Sequence, residues 1–439
     1  MGKSTPQDLA APGPTGSTAS EIPVRDTLLE QFKKTRALTR ALADPLSTED
    51  MVVQTVDDVS PTKWHMAHTT WFFETFLLKP NQTGYEPFHE AFEYLFNSYY
   101  NAVGSQFPRP ERGLLSRPTV KEIIDYRHHV DDAMDTLINN VSDDVWGQIA
   151  PLVELGVHHE QQHQELLLTD IKHVLSWNPL EPAGYGSKPK ILKSAPTLTF
   201  VDFDGGLFHI GHEGEGFAFD CEGPRHQVLL RPHSLANRPV TNGEYLDFIE
   251  DGGYETPHLW LSDGWADLQS GQWTAPIYWR RRDSDWVEFT LHGPQKLDLH
   301  APVSHINFYE ASAYAAWAGA RLPRESELEL AATATKPVGN ILDTDHIHPK
   351  PSDRADENGL FQLFGDVWEW TQSAYSPYPG FTPAAGAVGE YNGKFMSGQQ
   401  VLKGGSCATP AHHIRATYRN FFPPAARWQF TGLRLAKDL

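Results

Sequence analysis

Val157 to Asp170 reads VHHEQQHQELLLTD, and the fold turns on this stretch. At 3.6 residues per turn, His159 and His163 fall one turn apart on one helical face, where two imidazoles can reach a single metal ion. Gln162 lies between them in angle. Leu166, Leu167 and Leu168 carry the helix into a buried segment, and Pro179 ends it after Asn178. The string from His159 to His163 also matches HExxH, the zinc-protease pattern in which the glutamate, here Glu160, is a general base. In a chain with 21 histidines, a chance pair on a polar face is a third reading.

A two-histidine site needs a further ligand, and Trp64 to His68, WHMAH, offers His65 and His68 without spacing to choose between them. This segment opens at Ser60-Pro61, where serine can cap the free amides and proline suits the first helical position. Leu28, Leu29, Phe32, Leu38 and Leu42 predict an earlier helix over Arg25 to Ala43. Thr119 and Glu122 have capping-box spacing ahead of another, and a fourth runs from about Pro151 to Ser176. Four long helices predict a bundle, whose metal sites are built from side chains projecting inward from facing helices. The connection from Leu78 to Pro118 is long enough to be functional.

Residues 1 to about 22 hold almost no large apolar side chain, so a disordered tail is expected. Pro182, Gly184, Gly186, Pro189 and Pro196 mark a linker. Beyond it, short apolar segments such as Leu198 to Phe203 and Gln227 to Arg231 alternate with glycine-rich turns, as in a strand-rich, loop-rich domain. Two helices stand out there: one begins at Asn307 with Glu310 at capping-box spacing, and the other follows Pro323.

The 439 residues allow two or three domains with their own cores. With 36 basic against 56 acidic residues, the net charge of -20 argues against nucleic acid and anionic lipid as partners. Only Cys221 and Cys407 are present, which excludes a disulfide framework and fits a reducing cytosol. No apolar run reaches the roughly 20 residues of a membrane span, so a soluble, cytoplasmic protein is expected. Three neutral imidazoles would leave an octahedral ion three open positions, which suits iron(II) taking up a thiolate, a substrate nitrogen and dioxygen. Tetrahedral zinc would keep one.

These stretches carry a family resemblance. SPTKWHMAHTTWFFE followed by HHEQQHQE is similar to the helical domain of the non-haem iron sulfoxide synthases of ergothioneine and ovothiol biosynthesis, a DinB-like four-helix bundle. GGLFHIGHEGEG, PVSHINFYEASAYAAWAGARLPRESELELAA, LFGDVWEWT, VLKGGSCAT and RATYRNFFPPAARWQFTGLRLA resemble the formylglycine-generating-enzyme-like domain, a C-type-lectin variant. The implied fold is α+β with two domains: a tail over 1–22, the bundle over 23–180, a linker over 181–197 and the lectin-like domain over 198–439.

The resemblance assigns Fe(II) to His68, His159 and His163, leaving His65 and His158 as structural neighbours. It implies an O2-dependent enzyme that joins a thiol sulfur to the imidazole carbon of hercynine, which is trimethylated histidine, and oxidises that sulfur to the sulfoxide. Gln162 would contact the substrate imidazole, and Asn420 and Phe421 the quaternary ammonium. An aromatic face beside a permanent cation contributes about 0.5–2 kcal/mol. Phe422 and Ala426 stand where members using gamma-glutamylcysteine carry an aspartate and an arginine, which favours free cysteine as the thiol. Arg109 and Arg112 match the family's carboxylate-binding pair.

For the proton donor near oxygen, the Tyr99-Tyr100 pair is expected, ahead of Tyr378 and Tyr391. Cys407 lacks the partner that formylglycine chemistry requires, and Trp368, Trp370 and Trp428 are expected mainly in the core of the second domain. Competing readings are an ovothiol-type synthase acting on histidine, gamma-glutamylcysteine as the thiol donor, and a non-catalytic ligand-binding protein.

Overall fold

A computed structural model describes residues 23–186, 194–214, 216–352 and 354–439. The expected tail and positions 187–193 of the expected linker lie outside the described residues. Helix α1 spans Arg25–Ala43, where the predicted amphipathic stripe buries Leu28, Phe32 and Leu42. Helix α2 (Thr62–Phe73) continues through a π-helical turn over Glu74–Leu78 into the short α3 (Lys79–Asn81). Its N-cap is Pro61, with no side-chain cap. The expected cap, Ser60, is engaged elsewhere: its amide donates to Asp170 and its hydroxyl accepts from Arg112.

The long connection folds into α4 (Phe92–Phe96) and a 3-10 segment over Arg109–Leu114. Helix α5 (Val120–Asn140) starts at the predicted Thr119–Glu122 capping box. Helix α6 (Asp143–Ser176) begins eight residues before the expected Pro151, capped by Ser142. Proline removes one backbone donor, and the buried Trp146, Ile149 and Ala150 hold the turns before it against the bundle. Helix α1 packs on α6, and α2 packs on both α5 and α6, which completes the four-helix bundle.

The second half contains β1 (Phe200–Phe203), β2 (Gly206–Ile210), β3 (His226–Leu230), β4 (His233–Ala236), α7 (Asn242–Glu250) and α8 (Ser262–Gly271). Next come the meander β5 (Trp279–Arg282), β6 (Asp285–Thr290) and β7 (Gly293–Lys296), then α9 (Phe308–Trp317) and α10 (Glu325–Thr333). The chain finishes with β8 (Trp368–Ala374), α11 (Glu390–Gly393), β9 (Gln400–Lys403), β10 (Asn420–Phe422), β11 (Thr431–Gly432) and β12 (Ala436–Asp438). Strands pair as β1-β4-β12, as the β2-β3 hairpin, as β5-β6-β7 and as β10-β9-β8-β11, the last with β11 parallel to β8. Helices α7 and α8 had not been read from the sequence, although Thr241 and Glu244 form a capping box ahead of α7.

The α+β architecture of two differing halves is borne out. Helix α6 joins them. His158, Gln162, Glu165 and Lys172 lie on one stripe of it and bond His413, Tyr418, Trp368 and His305 of the second half. Gly156 lies against two aromatic rings of α2: a Cβ there would stand 2.5 Å from Phe73 Cε1 and 3.0 Å from Phe72 Cε1. Gly156→Ala gains about 1 kcal/mol of helix propensity. The aromatic overlap costs about 1–3 kcal/mol. The variant should therefore unfold at lower urea concentration than the wild type; an unchanged or raised midpoint would show that the crossing can widen freely.

Candidate metal centre and substrate pocket

His68, His159 and His163 each offer a nitrogen, and these atoms all lie within 4.8 Å of one another. Helix α2 presents His68 with its ring stacked between Trp64 and Trp71, and its Nδ1 is 2.6 Å from the Phe96 carbonyl oxygen. That hydrogen bond assigns the proton to Nδ1 and leaves Nε2 as the donor atom for a metal. Helix α6 presents the other two, one turn apart, with the His159 ring against Phe72 and its Nδ1 buried without a hydrogen-bond partner. Burial holds all three imidazoles below their ordinary range, His159 at about 4, and neighbouring imidazoles add to this for His68 and His163. Neutral imidazoles with free lone pairs are the state a divalent transition metal binds, so the donor set fits such an ion.

The zinc-protease alternative fails on Glu160. Its carboxylate is buried between Arg36 and Arg127, at 2.9 and 2.8 Å, and accepts from Thr39 Oγ1 at 2.6 Å. Burial raises its pKa, but the two guanidiniums and the hydroxyl overcome this and hold it at about 2. It is a structural anion with every oxygen occupied, not a base facing water on a metal.

His68 and His163 open into a pocket between the two halves, also lined by Tyr99, Tyr100, Arg109, Arg112, Gln162, Tyr391, Asn420, Phe421 and Phe422. Arg112 is buried, lies 3.4 Å over the Trp64 ring and donates to the hydroxyls of Ser60 and Ser98. Arg109 donates to the Tyr99 hydroxyl and the Asp58 carbonyl. The Nε of each arginine is buried without a partner. None of these contacts is a carboxylate. Burial, with Arg109 nearby, pulls Arg112 down to about 9. Against the pull of burial, Asp58 and Asp170 lie near enough to hold Arg109 up. Neither guanidinium has a carboxylate in hydrogen-bonding contact among the described residues, which leaves both able to receive an anion.

Gln162 donates from Nε2 to the Tyr418 hydroxyl at 2.8 Å, so its carbonyl oxygen is left for another partner. Phe421 stacks on Tyr375 at 4.1 Å and lies 5.6 Å from Phe395, while the Asn420 Oδ1 accepts from the Phe421 amide. Phe422 meets Trp428 edge-on. Tyr99 adopts a left-handed φ of 69°, and Glu390 of α11 fixes the loop by accepting from the amides of Asn101 and Ala102 at 2.9 Å each. Tyr100 is buried against Trp71 and Phe76. Of the other two tyrosines, Tyr391 lines the pocket, whereas Tyr378 lies under Arg419 and points its hydroxyl toward Glu325.

Residues 31–167 match the DinB superfamily, and residues 188–439 match the Sulfatase-modifying factor enzyme 1-like domain. The hercynine oxygenase of Mycolicibacterium thermoresistibile is 33% identical, with 96% of this chain and 97% of that protein aligned. That of Mycolicibacterium smegmatis is 31% identical over 94% of this chain and 99% of that protein. The chain belongs to the hercynine oxygenase family. Ergothioneine biosynthesis protein 1 of Schizosaccharomyces pombe is 30% identical over 51% of this chain and 28% of that protein. The chain is accordingly an enzyme, an oxygenase. No described helix is long and apolar enough to cross a membrane.

In this member of the hercynine oxygenase family, Trp428 packs with the bundle's apolar core instead of the second half's, whereas Trp368 is buried in the core of the second half as expected and turns its indole N–H to the bundle. Trp368 Nε1 donates to Glu165, which also accepts from Ser406 and Thr409, and Trp428 Nε1 donates to Asp170 at 2.9 Å. Trp370 is a core residue, bonded to the Ile306 carbonyl. Sequence reading missed Glu165, Asp170 and Tyr418. For Glu165 the available signal was the 4-3-7 spacing that places it on one stripe of the helix with His158, Gln162 and Lys172.

The stabilising contribution of Glu160, whose unperturbed value is 4.5, is complete above about pH 4.5 and is lost as the pH falls toward 2. Glu160→Gln leaves the buried Arg127 without a carboxylate and Arg36 with Asp131 alone, which should cost about 3–5 kcal/mol at neutral pH. Urea titrations of both proteins between pH 2 and 7 should show this gap closing on the acid side. A variant of wild-type stability would contradict the assignment.

Proposed function

We propose that this chain is an Fe(II)- and O2-dependent sulfoxide synthase that joins the sulfur of cysteine to the imidazole carbon of hercynine. The observation that carries the reading is that the three-imidazole centre opens into the same pocket as two guanidiniums with no carboxylate partner. Iron held by His68, His159 and His163 would supply oxygen activation and redox capacity. The overall change balances as thiol plus imidazole C–H plus O2 giving sulfoxide plus water.

The rest of the chemistry falls to the chain. Arg109 and Arg112 bind the carboxylate of an amino-acid substrate, and Arg112 is held rigid by Trp64 and the two serines. The Gln162 carbonyl accepts an imidazole N–H, with its amide nitrogen committed to Tyr418. Asn420, Phe421 and Phe422 offer polar and aromatic surface to the trimethylammonium. The Tyr99-Tyr100 pair supplies the proton, with the Tyr99 hydroxyl held by Arg109.

Cysteine is favoured over gamma-glutamylcysteine because Phe422 is apolar and Arg427, the nearby guanidinium on that loop, is spent on Glu310 at 2.8 Å. The ovothiol-type reading with histidine lacks a use for the aromatic surface at Phe421. The two free, buried cysteines fit a reducing cytosol.

Anaerobically iron-loaded protein given O2, cysteine and hercynine should yield the sulfur-linked sulfoxide by mass analysis. Absence of any sulfur-linked product, with hercynine or with histidine, would defeat the reading. His163→Ala should abolish iron binding and turnover. Arg112→Ala should raise the cysteine KM at least tenfold and leave the response to hercynine nearly unchanged; an unaltered cysteine KM would remove Arg112 from the thiol-substrate site.

A further inference from the structure

His65, the histidine of WHMAH outside the metal triad, is buried, with its Nε2 2.9 Å from Asp170 Oδ2 and its Nδ1 2.9 Å from His163 Nδ1. Asp170 Oδ2 also accepts from the Ser60 amide at 2.8 Å, and Oδ1 accepts from Trp428 Nε1. Both oxygens therefore receive donors, and the Asp170 side chain has nothing to accept a proton of its own. The direction of the hydrogen bonds at Asp170 then follows from the donor and acceptor inventory. An ionised carboxylate only accepts, so His65 carries its proton on Nε2. Between the two facing Nδ1 atoms the hydrogen lies on His163 when His163 presents Nε2 to a metal, and His65 then accepts it at Nδ1. The lone pair of His163 is left on Nε2.

We infer that Asp170 and His65 form an outer-shell relay that fixes His163 as an Nε2 donor to the metal, and that Trp428 of the second half holds the relay in place. The inference rests on the metal-binding reading of His68, His159 and His163. It makes His65 and Asp170 positioning residues, and it supplies the negative charge that three neutral imidazoles lack, at a remove of two hydrogen bonds. Partners of this kind typically change metal affinity by roughly 10- to 100-fold when removed. The relay also ties the metal to the pocket wall, because Trp428 packs on Phe422.

Three variants separate polarity from packing. Asp170→Asn keeps the volume but can turn an amide N–H toward His65, which reverses the relay and puts the His163 proton on Nε2. His65→Gln can donate to Asp170 and accept from His163, so it preserves the polarity, whereas His65→Met removes it. Full-length metal-free proteins would be titrated anaerobically with Fe(II), and with Co(II) followed by its visible absorption, and their folding checked by near-ultraviolet circular dichroism. Asp170→Asn and His65→Met should bind at least tenfold more weakly than wild type, His65→Gln within about threefold, and Trp428→Phe between these limits.

Wild-type affinity in a folded Asp170→Asn or His65→Met protein would overturn the relay. So would equal losses in His65→Gln and His65→Met, since packing alone would then explain both. If Asp170→Asn does not fold, the two His65 variants decide. A wild-type protein that binds neither ion stoichiometrically would instead overturn the metal reading itself, and the relay with it.

Discussion

Helix α6 has to satisfy three sets of neighbours at once, and the period of 3.6 residues dictates how it does so. His159 and His163 face α2 and its His68. Glu160 faces α1 and α5, where Arg36 and Arg127 neutralise it. His158, Gln162, Glu165 and Lys172 face the second half. Because these sets share one rigid rod, the spacing between the metal ligands, the bundle core and the domain contact is set by helix geometry rather than by flexible loops. A pocket between two halves can keep a defined shape on such a support.

Charge burial sorts the structural groups from the functional ones. Glu160 is surrounded by two guanidiniums and a hydroxyl, and Glu369 is met by Arg434 at 2.8 Å, so these ions are complete within the fold. Arg112 is equally deep but has only serine hydroxyls and an aromatic face, with Nε unpaired. A buried charge without a carboxylate in contact is costly, and an anion bound beside it would relieve that cost. The same contrast distinguishes the histidines. His68 and His159 each bring a nitrogen within 4.8 Å of the other's and of one on His163, whereas His158 is stacked at 3.8 Å on Phe217 and bonded to His413.

The second half contributes more than a lid. Its β10 strand and the following turn carry Asn420, Phe421 and Phe422 to the pocket, and Trp428 onward to Asp170. Glu390 of its α11 helix and Lys394 just after that helix grip the loop that holds Tyr99 in a left-handed conformation. Both contacts are made by residues far apart in the chain. Neither half can present this pocket without the other.

A family resemblance, not residue spacing, picked His68 over His65 and singled out Gln162 and the arginine pair; the amino-acid sequence by itself determined the bundle, the second α+β half and the one-turn pair His159 and His163. Each of these is a local signal: the apolar stripe of α1, the Thr119–Glu122 capping box, the one-turn spacing of His159 and His163. Periodicity acts over a few residues, so it survives without knowledge of partners. The tertiary structure alone decided which face Glu160 uses, that α6 begins at Asp143 despite Pro151, that Ser60 serves Asp170 and Arg112 rather than capping α2, and that Trp368 and Trp428 look toward the bundle. Those outcomes depend on hydrogen-bond partners as much as 258 positions away, as for Trp428 and Asp170. Whether a buried polar group is structural or functional depends on what stands opposite it, and only the packed fold brings that partner to it.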